Sequence, residues 1–104
     1  MKIAIDISIM TKSDGAFANV TGTITLEVIP QVGDTISFAF PKTQNVAPVL
    51  GFTGMLRVAD RVLDAGEGPK VSIALEDVIL STVQEARAVG EYLEKGFGLT
   101  VDPY

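Results

Sequence analysis

The stretch Ile3-Ala4-Ile5-Asp6-Ile7-Ser8-Ile9 sets the fold class, because it alternates a β-branched apolar residue with a small or polar one. A side-chain period of two puts the isoleucines on one face and Ala4, Asp6 and Ser8 on the other. That is the pattern of a strand with one face in a core and one in water.

The same period recurs downstream. Thr11 to Ala18 (TKSDGAFA) carries a Ser-Asp-Gly turn, so the chain is expected to reverse there and form a hairpin with a second strand over about 20–29. Ile24, Leu26 and Val28 share one face of that strand. Pro30-Gln31-Val32-Gly33-Asp34 breaks the pattern, since Pro30 has no backbone donor and Gly33 accepts a positive φ. A third strand over about 34–40 follows, with Ile36, Phe38 and Phe40 on one side. Asp34 reads as turn chemistry more than as a ligand contact.

A fourth strand is expected over about 55–64, with Leu56, Val58 and Val62 in phase. Asp60 interrupts it: either Asp60 points inward at a barrel end, or a bulge lets Ala59 take its place. Asp64 to Pro69 reads as a hairpin loop. A fifth strand over about 70–79 starts with Val71, Ile73 and Leu75 and reaches Leu80 through a bulge near Glu76-Asp77.

Val83, Ala86, Val89, Gly90 and Leu93 then recur at helical spacing, which predicts an amphipathic helix over about 83–95. Ser81 with Gln84, or Thr82 with Glu85, fits a capping box. Gly96 is placed to end the helix in a left-handed conformation with Phe97 folding back, and Gly90 to bring the helix close to the sheet. A short strand is possible over 99–101. The chain thus reads as one domain, 1–104, of mainly β (α+β) class. The expected architecture is a small five- to six-stranded antiparallel barrel or bent sheet, with one C-terminal α-helix packed on it.

Composition excludes much chemistry. The 104 residues contain no cysteine and no histidine. Disulfides, thiolate metal sites and a cysteine nucleophile are therefore ruled out. So are the usual general base near neutral pH and the commonest metal ligand. The composition argues against an enzyme, leaving only chemistry based on carboxylates, Lys or Tyr92, and no cofactor or metal is expected. Asp60 with Asp64, and Glu76 with Asp77, fall into no recognisable metal loop. The Gly66-Glu67-Gly68-Pro69-Lys70 stretch lacks the spacing of a phosphate loop and reads as a turn. The net charge of −5 argues against a nucleic-acid partner. No run approaches the length of a membrane span, so a cytoplasmic protein with no membrane partner is expected.

Two features remain as candidate sites. The connection from Pro41 to Gly54 carries a single charge, Lys42, among apolar residues that include Val46, Val49, Leu50 and Phe52. Three readings compete for it: a segment folded back into the core, an interface with another chain, or a lid over a pocket. Val46, Val49, Leu50 and Phe52 are the candidate interface. Arg57 and Arg61 fall on one strand face at this spacing, and Arg suits planar recognition of carboxylate or phosphate; the plainer alternative is a solvated stripe with cross-strand ion pairs. The function expected from these features is a non-enzymatic protein-interaction or oligomerisation module, partnered by itself or by another protein. The alternative is a small barrel that binds an anionic small molecule through Arg57 and Arg61.

Overall fold

In the computed structural model the described residues are 1–41, 49, 51–66 and 71–104. Seven strands and one helix follow in the order β1 (Lys2–Thr11), β2 (Gly15–Thr25), β3 (Thr35–Ser37), β4 (Met55–Leu63), β5 (Val71–Leu75), β6 (Val78–Leu80), α1 (Val83–Phe97) and β7 (Thr100–Pro103). The protein is mainly β with its C-terminal helix packed on the sheet. The spatial order is β3-β4-β5-β1-β2-β7, with β6 beside β1 beyond the end of β5. The sheet is bent and open, since β3 and β7 do not pair.

β1 is the central strand. Ile3, Ile5, Ile7 and Ile9 are buried on the face that α1 covers, while Asp6 lies exposed on the other. Burying side chains of this size contributes about 1.5–3 kcal/mol each. At the β1–β2 turn the Thr11 hydroxyl accepts from the Asp14 amide at 3.0 Å, and Gly15 takes φ 77°. β2 pairs antiparallel with β1, setting Ile24 opposite Ile3 and Val20 opposite Ile7.

β5 and β6 both run parallel to β1, where an antiparallel partner was expected. The register advances by one residue between them, which is the bulge foreseen at Glu76-Asp77. Glu76 fixes that break: its amide donates to the Arg57 carbonyl at 2.9 Å, and its carboxylate accepts from the Arg57 amide at 3.1 Å. The parallel pairing arises because the chain leaves β2 on one side of β1 and returns through β3 and β4 to β5 on the other side. After β6 the helix packs across β1 and β2, and the chain ends as β7 beside β2.

α1 starts at Thr82, whose hydroxyl oxygen accepts from the Glu85 amide at 3.1 Å and donates to the Glu85 carboxylate at 3.1 Å. This is the Thr82–Glu85 alternative of the two capping pairs. The helix runs two residues further than expected and is ended by Gly98, at φ 72°, instead of by Gly96. Gly96 is buried within the helix, and an added Cβ there would sit 3.0 Å from the Pro41 side chain. Close packing, and no left-handed turn, therefore accounts for that glycine.

Two strands stop earlier than their side-chain alternation implied. The last rung joining β2 to β1 is the Leu26 amide to the Met1 carbonyl at 2.9 Å. Beyond it the chain bends, and Val28, expected on the core face, is 72% exposed. β3 ends at Ser37, whose hydroxyl accepts from the Ala39 amide at 3.2 Å and turns the chain away. Ile36 and Phe38 are buried as expected, but Phe40 is 85% exposed.

β4 carries a bulge between Val58 and Asp60, but Ala59 does not take the inward place expected of it: both Ala59 and Asp60 are exposed. Before the bulge Leu56 and Val58 point into the core. After it the phase is inverted: Arg61 lies opposite Ile73 and Leu63 opposite Val71, so Val62 faces solvent instead of the core. Residues 67–70 of the following hairpin loop lie outside the described residues.

Candidate functional site

The bend after β2 and the short β3 together leave a groove. It has a volume of about 430 Å³ and is lined by Leu26, Glu27, Val28 and Pro30 on one side and by Asp34 through Ser37 on the other. The curled β3–β4 ribbon comes back towards the chain leaving β2, but the two do not pair. A volume of this size falls within the range of small ligand sites.

The corner that aims the two walls is held by Asp34. Its carboxylate accepts from the Gln31 amide at 2.8 Å, and its own amide donates to the Gln31 carbonyl at 2.9 Å. That is the turn chemistry read from the sequence. Pro30 and Ile36 are buried and Leu26 is half-buried, which gives the groove an apolar floor. Glu27 and Asp34 are exposed, and no Lys or Arg contributes to the lining. Val28, Ile29, Val32 and Phe40 lie exposed along the same connection, on both sides of β3.

The two sheet edges differ. In β7 the Tyr104 amide donates to the Phe17 carbonyl, and Asn19 is opposite Asp102. By antiparallel alternation Pro103 then occupies an outward position, where it offers no N–H. Proline at such a position blunts an edge against further pairing. β3 has no proline, and only its shortness, three residues, limits further pairing there.

Of the candidate interface residues, Val49 and Phe52 are half-buried and packed against the core. The Phe52 ring meets that of Tyr92 edge to face at 5.8 Å, and Phe38 meets Phe97 in the same way at 5.1 Å. Val46 and Leu50 lie outside the described residues. Tyr92, 6% exposed, donates its hydroxyl to the Phe38 carbonyl at 2.5 Å. Burial pushes its phenol above the ordinary value, so it holds its proton.

The β4 bulge separates the two arginines. Arg57 lies between the buried Leu56 and Val58 and so faces outward, opposite Thr35, whereas Arg61 takes the core-face register opposite Ile73. The register thus places the two on opposite faces of β4. Among the described residues no group of three or more Asp or Glu side chains is placed to hold a metal ion. No helix among them is long and apolar enough to cross a membrane.

Sequence periodicity did not reveal the groove, because it assigned Val28 and Phe40 to strand faces. The available signal was the apolar content of the Pro30–Asp34 corner and its flanks, unusual for a solvated turn. Fold and site together define an open, mixed β-sheet domain with one covering helix and one unguarded edge. A scan against protein-family models finds no match, and neither the curated proteins nor the solved structures yield one.

Proposed function

We propose that this chain is a non-enzymatic protein-interaction module that buries the exposed apolar side chains Val28, Ile29, Val32 and Phe40 against another polypeptide. A second copy of itself is the simplest partner. One observation carries this reading: Val28, Ile29 and Val32 before β3 and Phe40 after it are exposed on either side of the free β3 edge in the sequence. Apolar residues scattered singly over a surface need no explanation, but several close in sequence, of which Val28 lines the groove, mark an interaction surface. An unpaired edge adds backbone donors and acceptors to the same place. A cytoplasmic setting belongs to the proposal.

The candidate residues of the Pro41–Gly54 connection enter at its margin. Phe40 adjoins that connection, while Val49 and Phe52 serve the core beneath it. The anionic-ligand alternative needs Arg57 and Arg61 on one face, and no observation favours it.

Amide and methyl NMR spectra recorded over rising protein concentration test the proposal. Signals of Val28, Val32 and Phe40 should shift together and saturate. Shifts scattered over the outer sheet face, or none at all, would contradict it.

A further inference from the structure

We infer that the groove beside β3 is a seat for an extended peptide segment of a partner protein that carries both apolar and basic side chains. The inference rests on reading the chain as an interaction module, but not on its self-association.

The backbone of β3 sets the pairing positions. The Val58 amide donates to the Asp34 carbonyl at 2.8 Å, and the Phe38 amide to the Gly54 carbonyl at 2.6 Å. Ile36 lies between them, opposite Leu56. Asp34, Ile36 and Phe38 therefore turn their backbone groups towards β4. In an antiparallel ladder the intervening residues turn theirs the other way, so Thr35 and Ser37 present N–H and C=O groups to the free edge. Both residues line the groove. A segment laid there in extended form adds a strand to the sheet, with main-chain bonds supplying affinity and alternate side chains supplying selectivity.

The lining specifies the side chains. An extended segment sends successive side chains to opposite sides. The lining offers such a segment both apolar surface, from Leu26, Pro30 and Ile36, and the exposed carboxylates of Glu27 and Asp34. With two carboxylates and no cation in the lining, and a chain of net charge −5, the complementary partner is basic.

The test uses the intact protein and a capped Lys-Val-Lys-Val-Lys-Val hexapeptide, followed by amide NMR. Saturable shifts are expected at Thr35 and Ser37. A Glu-Val-Glu-Val-Glu-Val hexapeptide should bind at least about tenfold more weakly, and so should the basic peptide N-methylated throughout. Glu27→Lys, an exposed change, should weaken the basic peptide and leave thermal stability unaltered. Shifts away from β3, equal binding of the N-methylated peptide, or no binding up to about 1 mM would overturn the inference. If the chain self-associates through residues 28–40 but ignores the hexapeptide, only this inference fails. If the hexapeptide is ignored and the chain is strictly monomeric, the proposed function fails with it.

Discussion

The Tyr92 hydroxyl donates to the Phe38 carbonyl at 2.5 Å, tying the helix to the residue that follows β3. This bond closes the curled ribbon onto the core and so helps to place one wall of the groove. Tyr92→Phe keeps the ring but leaves a buried carbonyl without its donor, which should cost about 1–3 kcal/mol in chemical denaturation. An unchanged midpoint would mean that the bond contributes nothing.

The same residue gives a pH signature. Burial raises the phenol above its ordinary value of 10.0, so above that pH the folded state holds a proton that the unfolded state releases. Stability from this source is full below about pH 10 and is lost as pH rises through the folded pKa. Urea midpoints of the wild type and Tyr92→Phe should therefore converge as pH climbs past 10. Curves that stay parallel would contradict this assignment.

Three glycines separate conformational freedom from space. A Cβ at Gly90 would lie 3.5 Å from Val101, an ordinary contact, so Gly90→Ala should raise stability by about 0.5–1 kcal/mol. At Gly22 the Cβ would fall 2.7 Å from the Leu99 side chain, and at Gly54, with φ 79°, 3.0 Å from the Phe38 backbone. Gly22→Ala and Gly54→Ala should each destabilise, the second by more because backbone cannot yield. Thermal melts of the three variants check that order.

Phe52 packs on Tyr92 from within the apolar connection. Phe52→Ser should lower stability by about 1–3 kcal/mol without changing the mass measured in solution. A variant of native stability that alters assembly would return Phe52 to the interface.

The legible parts of the fold were those where side chains alone carry the information. The isoleucine alternation gave β1, the helical spacing gave α1, and Asp60 in an apolar phase signalled the β4 bulge. Side-chain period reports which face a residue occupies, but not whether its backbone is still hydrogen-bonded. Val28 and Phe40 keep their strand phase after the ladder has ended, so they read as core. Alternation is also identical in parallel and antiparallel strands, so the pairing of β1 with β5 depended on the return of the chain through β3 and β4 to the far side of β1, which no local pattern encodes. Gly96 and Gly98 are equally good helix stops in sequence, and only the approach of Pro41 to Gly96 distinguishes them. The groove was illegible for the same reason as its walls, which are defined by where two strands stop.

The central claim is that residues 28–40 form a surface buried against another polypeptide, and light scattering across a concentration series tests it most directly. The wild type should gain mass into the high micromolar range, whereas the Val28→Ser, Phe40→Ser double variant, with both changes at exposed positions, should remain monomeric with an unchanged melting temperature. A double variant that assembles equally well, or a wild type that stays strictly monomeric and also ignores the basic hexapeptide, would contradict the account.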